Sequence, residues 1–308
     1  MLNILGKRYI FFAISLLVIV PGVLLAIIGG LPLAIDFTGG SLLEVRFESG
    51  QVPAPAAIHQ LYEDLGVPDA QVQTTGSDTI LARSSFLDDE TRGGIVAAME
   101  ERFSDDVTVL RFDSVGPTIG AEVTSRAATA VAVAALAVVI YITFAFRGIP
   151  NAFRYGVCAI IAMLHDVAIV ISLGAIGGYM FGWQMDALFL TALLTVIGFS
   201  VQDKIVVFDR IRENTNIFRK LKFETLVNHS IIQTLQRSIN TQLMTVEFML
   251  LALALFGGVT LREFAIILLV GLFSGTYSSI FIAAPILVLW ENREWRTWFN
   301  RSNREATA

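Results

Sequence analysis

Asp203 and Arg237 are the residues of this 308-residue sequence whose types and placement best suit chemistry. Each lies inside a long apolar stretch, 186–208 for the acid and 232–256 for the base, about five residues from the end flanked by arginines and lysines. If both stretches cross a membrane, the two groups sit at similar depth on consecutive antiparallel helices. An ionisable group at that depth is expensive, so it faces a partner or a wet cavity. Desolvation favours the neutral form of a carboxyl and a nearby guanidinium favours the anion. Where those effects compete, a proton can be exchanged, with the guanidinium staying charged throughout. Two readings follow: a proton-exchanging pair, or a static ion pair that fixes helix packing.

Helical spacing extends both positions into polar stripes. Thr195, Phe199 and Ser200 share a face with Asp203, and Gln233, Thr234, Asn240, Thr241 and Thr245 share one with Arg237. The expectation is a hydrated seam between the two helices. Asp166, next to His165 in the stretch 155–177, is either a second relay group or a carboxyl hydrogen-bonded by serine or threonine on a neighbouring helix. His165 has no second ligand at i+3 or i+4, which favours a packed histidine over a metal ligand. Glu247 and Lys204 are expected to be satisfied by neighbours or by snorkelling, and Lys204, near the inner end, can reach the interface along its own aliphatic stem. No Walker loop, H-E-x-x-H or nucleophile elbow occurs, so neither an enzyme nor a metal or organic cofactor is expected. Gly29-Gly30 and Gly39-Gly40 lack the strand and helix context of a phosphate loop and read as tight turns.

The elements that must position these groups follow from composition. At 55% hydrophobic and 16% charged, with mean hydropathy +0.67, the chain is too apolar for a water-soluble protein of its size. Six stretches are long enough to span hydrocarbon as helices: about 9–31, 124–146, 155–177, 186–208, 232–256 and 264–289. The first runs too long for a signal peptide and lacks a cleavage site, so it reads as a retained anchor. Lys7, Arg8, Arg147, Arg154, Arg210, Arg212, Arg219, Lys220, Lys222, Arg293, Arg296, Arg301 and Arg304 flank one side of these spans. The short loops of the other side hold only Arg262. That asymmetry places both termini in the cytoplasm. The expected domains are 1–35, the N-terminus with span one; 36–123, an external domain; 124–290, spans two to six; and 291–308, a basic cytoplasmic tail. A polar segment with interspersed apolar residues, about 209–231, suggests a short interfacial helix. Trp290, Trp295 and Trp298 suit an anchoring belt at the inner end of span six.

The net charge of −5 conceals a division, because residues 36–123 carry 16 acidic and 5 basic side chains. The basic excess elsewhere is too scattered for nucleic-acid binding. In the external domain, Leu42–Glu48 alternates as a strand and Pro53–Leu65 reads as a helix with Ile58, Leu61, Tyr62 and Leu65 on one face. Ala70–Thr75 and Thr79–Ser84 form a hairpin across Gly76-Ser77-Asp78, Asp88–Phe103 is a second helix, and Val107–Phe112 a last strand. The order βαββαβ predicts a small α+β, ferredoxin-like domain attached to an α-helical polytopic membrane protein. With one cysteine, Cys158, no disulfide is available, and the domain must stand on its own packing.

Several stretches resemble the SecF family. Ile35-Asp36-Phe37-Thr38-Gly39-Gly40-Ser41 is similar to its I-D-F-x-G-G signature, and Val115-Gly116-Pro117-Thr118-Ile119-Gly120-Ala121-Glu122 to V-G-P-x-I-G-x-E. The run Gly198–Asn214 resembles G-Y-S-x-N-D-T-V-V-V-F-D-R-I-R-E-N, and Gln233–Thr241 resembles Q-T-L-x-R-x-x-x-T. Gln202 and Lys204 stand where the family has Asn and Thr. The resemblance implies a subunit of the resistance–nodulation–division superfamily in the bacterial inner membrane. It implies work with SecD, helping preproteins through SecYEG on the outer side at the expense of the proton-motive force. It places Asp203 and Arg237 at the family's proton site. A half-size, proton-coupled exporter of small hydrophobic molecules is the alternative. One external insertion of under ninety residues argues against it, since such exporters carry two large insertions and about twelve spans.

Overall fold

The computed structural model describes residues 3–75, 78–147, 152–242 and 248–294. In chain order the elements are α1 (Arg8–Gly29, entered through a 3-10 turn, Leu5–Lys7), a single turn at Ile35–Thr38, β1 (Gly40–Phe47), α2 (Pro55–Asp64), β2 (Gln71–Thr75), β3 (Thr79–Ser84), α3 (Asp89–Phe103) and β4 (Val107–Val115). There follow α4 (Pro117–Ala145), α5 (Ala152–Phe181), α6 (Ala187–Ile217), α7 (Phe223–Gln242), α8 (Phe248–Phe256), α9 (Val259–Ser278), a π-turn (Ser279–Ala283) and α10 (Ala284–Glu291). The chain divides into two compact units, residues 33–129 and the remainder.

In the smaller unit the strands form one antiparallel sheet in the order β2-β3-β1-β4. Alternation puts Leu43, Val45 and Phe47 of β1 and Ile80 and Ala82 of β3 on one buried face. Ile58, Leu61 and Tyr62 of α2 and Ile95 and Met99 of α3 close over that face. Leu65 departs from expectation: it lies beyond the last residue of α2 and is exposed. Asp88 caps α3, accepting from the Thr91 amide at 2.8 Å. Strand β4 runs to Val115, three residues past the expected end, because its register with β1 continues to Gly40 opposite Val115. The Ser41 and Ser114 hydroxyls meet there at 2.7 Å.

The two signature stretches of this unit meet through glycine. Gly39 and Gly40 have φ of 73° and 122°, conformations that L side chains rarely adopt. A Cβ on Gly39 would lie 2.9 Å from Pro117 Cα, one on Gly40 2.6 Å from the Ser84 carbonyl oxygen, and one on Gly120 2.5 Å from the Gly39 nitrogen. The tight-turn reading of Gly39-Gly40 therefore gains a partner, the Gly116-Pro117 stretch at the start of α4.

The larger unit is helical. Among the described residues of the chain, five stretches are long and apolar enough to cross a membrane: Leu5–Gly29, Pro117–Ala145, Ala152–Phe181, Ala187–Ile217 and Leu261–Glu291. Expected span five, 232–256, falls on α7 and α8, with 243–247 between them outside the described residues. Apolar side chains on α1 (Leu17, Ile27, Ile28) and α4 (Leu136, Ile140, Phe144) are exposed, as lipid-facing helices require. The interior is built instead by α5, α6 and α9, through Met163, Val170, Val196, Ile197, Leu268 and Leu272. Cys158 is buried there.

Helix α6 has 31 residues and so a length of about 46 Å, well over the ~30 Å of hydrocarbon. That length corrects the expectation of a separate interfacial helix at 209–231. The segment is the end of α6, a turn at 218–222 and the start of α7. Ile211, Leu226, Val227 and Ile231 are buried between the two, and Asn214 donates to Ser230 at 2.8 Å and to Gln233 at 2.9 Å. One end of the unit is tied by ions: Arg8 pairs with Glu224 at 2.7 Å and Glu294 at 2.8 Å, and Arg154 with Glu291. The starts of α1, α5 and α7 and the end of α10 thus lie together at one end of the unit. Gly76, Ser77, Thr245, Glu247, Trp295, Trp298 and the tail from 295 lie outside the described residues, while Trp290 packs partly buried against the core.

Candidate functional site

The centre of polar chemistry is Asp166, on α5 and 1% exposed. Its Oδ2 accepts from Lys204 Nζ at 2.8 Å, Ser200 Oγ at 2.6 Å and Ser278 Oγ at 2.7 Å. Its Oδ1 accepts from Ser274 Oγ at 2.7 Å and meets His165 Nδ1 at 3.0 Å. Helical spacing supplies these donors in pairs: Ser200 and Lys204 are one turn apart on α6, and Ser274 and Ser278 one turn apart on α9. Gly275 between them lets α9 lie close on α6, with Ser200 Cα 3.3 Å from where its Cβ would be.

Lys204 is fully buried. Its three protons are spoken for by Asp166, by the Ser200 carbonyl at 2.8 Å and by Ser200 Oγ at 2.5 Å. Of the two expectations for Lys204, satisfaction by neighbours holds and reach to the interface does not: its side chain folds back one turn along α6, toward the Asp166 carboxylate. Ser200, placed by spacing on the face of Asp203, serves Asp166 and Lys204 instead. Asp166 is thus a carboxyl bonded by serines on two neighbouring helices, with an ion pair in addition. A buried pair endures only where its remaining hydrogen-bonding capacity is met, and here both partners meet it.

Asp203 follows in sequence but turns elsewhere. It is 7% exposed and accepts from Thr276 Oγ1 at 3.0 Å. Helix α9 thus donates to both carboxylates, from Ser274 and Ser278 to one and from Thr276 to the other. Arg237 is exposed on α7, as are Asn240 and Thr241, and among the described residues no ion pair joins it to Asp203. The nearer half of the α7 stripe is occupied: Gln233 accepts from Arg210 at 2.7 Å and from Asn214, and Thr234 bonds within its own helix. His165, expected to be packed, stacks on Tyr277 with ring centroids 6.2 Å apart, and the Tyr277 hydroxyl donates to the Phe11 carbonyl at 2.9 Å. The π-turn just beyond has a local cause, because Pro285 has no amide to offer the Phe281 carbonyl four residues earlier. Among the described residues no cluster of His, Cys, Asp and Glu could hold a metal ion.

Comparison with known proteins decides the family. Residues 95–293 match the family described as protein export membrane protein SecD/SecF, C-terminal, and residues 26–51 match the SecD/SecF GG motif. The chain belongs to the SecF family. The protein translocase subunit SecF of Anaerolinea thermophila is 73% identical over the whole of both chains, and that of Thermobaculum terrenum 45%. The crystal structure of SecDF from Thermus thermophilus, a translocon-associated membrane protein, superposes with TM-score 0.81 at 35% identity. That match covers 94% of this chain and 39% of SecDF, so the chain spans about two-fifths of that relative's length. With five long apolar helices and this family, it is a multi-pass membrane protein. The Gly39-Gly40 turn lies within the GG-motif match, and Asp166, Asp203, Lys204 and Arg237 all lie within the other.

Proposed function

We propose that this protein is an accessory subunit of the Sec protein translocase, driven by the proton-motive force, that works with SecD at SecYEG to draw preproteins through on the outer side. It spans the inner membrane six times with both termini in the cytoplasm, its fifth span crossing at 232–256. Its ferredoxin-like domain faces the periplasm, where a moving preprotein emerges. Its only energy source is the proton gradient, and it performs no covalent chemistry. The observation that carries this reading is Asp203. It is a buried carboxylate in a membrane-spanning helix, held by a threonine hydroxyl, beside a lysine whose protons are already committed to Asp166 and Ser200. One charge crossing roughly 100 mV is worth about 2.3 kcal/mol, enough to bias a conformational step. Arg237 keeps its positive charge throughout the cycle.

The test is export of a preprotein into vesicles containing SecD, SecYEG and either the parent or Asp203→Asn, with and without an imposed proton gradient. The amide is isosteric but cannot titrate. The expected result is normal abundance and SecD association with loss of the gradient-dependent stimulation. Full stimulation by a well-expressed Asp203→Asn protein would refute the proposal.

A further inference from the structure

We propose that the outer edge of β4 is a docking strand for the translocating polypeptide, which adds to the sheet there in extended form. β4 is a terminal strand of the order β2-β3-β1-β4, so one side of its backbone pairs with β1 and no strand lies on the other. Among the described residues, no other segment makes a backbone hydrogen bond to β4. Such an edge leaves alternate N–H and C=O groups facing water, a template on which another chain can pair. At nine residues this edge is long, and its sequence holds neither proline nor lysine. One blunting device is present, a bulge. Glu44 lies opposite Arg111 and Val45 opposite Val109, so Leu110 has no opposite residue on β1. The bulge does not hide the edge. Strand alternation would bury one of two consecutive residues, yet Val109 and Leu110 are 39% and 40% exposed. They give an incoming strand two adjacent apolar side chains to pack on.

Charge selects among the chains that could pair there. Residues 36–123 carry 16 acidic and 5 basic side chains. Four of those five, Arg46, Arg92, Arg102 and Arg111, are already paired with carboxylates of the same unit. Glu48, Asp105 and Asp106 gather at the start of β4, where the Glu48 amide donates to the Asp106 carbonyl at 3.1 Å. Among the described residues none of these three carboxylates has an ion pair. The surplus favours a basic segment. Pairing through the main chain asks only that the segment be extended, which suits a protein that handles many sequences. The opposite edge offers less: β2 has five residues, four of them Gln or Thr. The identity of the ligand rests on the export reading above; the open edge does not.

The experiment uses the full chain, alone and with SecD, in phosphatidylcholine nanodiscs, whose zwitterionic surface does not attract a cationic probe. The probe is a fluorescent nine-residue peptide alternating valine with lysine and threonine, followed by anisotropy and by deuterium exchange. The peptide should slow exchange in 107–115 and leave 71–75 unchanged. Methylating its alternate backbone nitrogens keeps every charge but removes the donors of one edge, and should weaken binding about tenfold or more. Glutamates in place of its lysines should also weaken binding, more at low salt than at high. Leu110→Lys sets a like charge against the basic strand and should weaken binding of the original peptide. Equal binding of the methylated peptide, protection at 71–75 in place of 107–115, or protection of 107–115 by SecD before peptide is added would overturn the inference. Asp203→Asn does not touch this edge, so that variant should bind the peptide as the parent does, whatever becomes of its export. A parent chain that exports with the gradient but does not bind the peptide would sink this inference alone.

Discussion

Removing one partner of the Asp166–Lys204 pair should destabilise the protein unequally depending on which partner goes. Asp166→Asn leaves the Lys204 ammonium, 0% exposed, with the Ser200 carbonyl and hydroxyl, a neutral amide and only the more distant charge of Asp203 for company. Stranding a buried charge costs about 3–5 kcal/mol. Lys204→Thr leaves the anion with four other donors, Ser200, Ser274, Ser278 and His165. The loss is then nearer that of one charge-assisted hydrogen bond, about 1.5–3 kcal/mol. Removing both charges in Asp166→Asn/Lys204→Met deletes the cause of the penalty and should return stability to within about 1–2 kcal/mol of the parent. The coupling energy of this cycle is thus favourable and large. The assay is reversible unfolding in mixed micelles, read by tryptophan fluorescence, for the parent and three variants. Simple additivity of the single effects, or an Asp166→Asn loss below about 1 kcal/mol, would refute the reasoning, because it would mean that Lys204 does not depend on its carboxylate.

Three further outcomes are expected elsewhere. Tyr62 is fully buried with its hydroxyl unpartnered among the described residues, and burial pushes that hydroxyl's pKa up; Tyr62→Phe should stabilise residues 33–129 by about 1 kcal/mol in urea unfolding. The Asp88 carboxyl is held below its usual pKa by its bonds to Thr91. Its contribution is present above the unfolded-state value and lost as pH falls through the folded one, so unfolding midpoints of parent and Asp88→Ala should converge on acidification. A Cβ on Gly22 would stand 2.5 Å from Ser172 Cα, so Gly22→Ala should force α1 from α5 and lower stability by about 1–3 kcal/mol, measured in the same micelles.

Much of the fold was legible because its signals are local. Strand alternation at Leu43, Val45 and Phe47, the Asp88 cap and the long apolar runs each declare an element without reference to its neighbours. The expectations that failed were those needing tertiary knowledge. Whether α6 stops at the membrane surface or continues to Ile217 depends on Asn214 finding Ser230 and Gln233 on the next helix. The exposure of Leu65 depends on where α2 ends, one residue earlier.

The candidate site shows the same division at finer scale. Spacing along α6 correctly groups Ser200 with its neighbours one turn on, but i+3 and i+4 are both neighbours on a helix, and sequence does not say which is served. Asp203 is three residues from Ser200 and Lys204 is four. The choice between them was made by α5 and α9, which bring Asp166, Ser274 and Ser278 to the side of Lys204. The available clue was that Asp166 in mid-span needs a partner and that Lys204 is a cation within the neighbouring span. Once Lys204 is assigned to Asp166, the two acids of α5 and α6 cease to be equivalent. One is neutralised by a lysine and three serines within the chain. The other accepts from Thr276 of α9, two residues from the serine that serves Asp166.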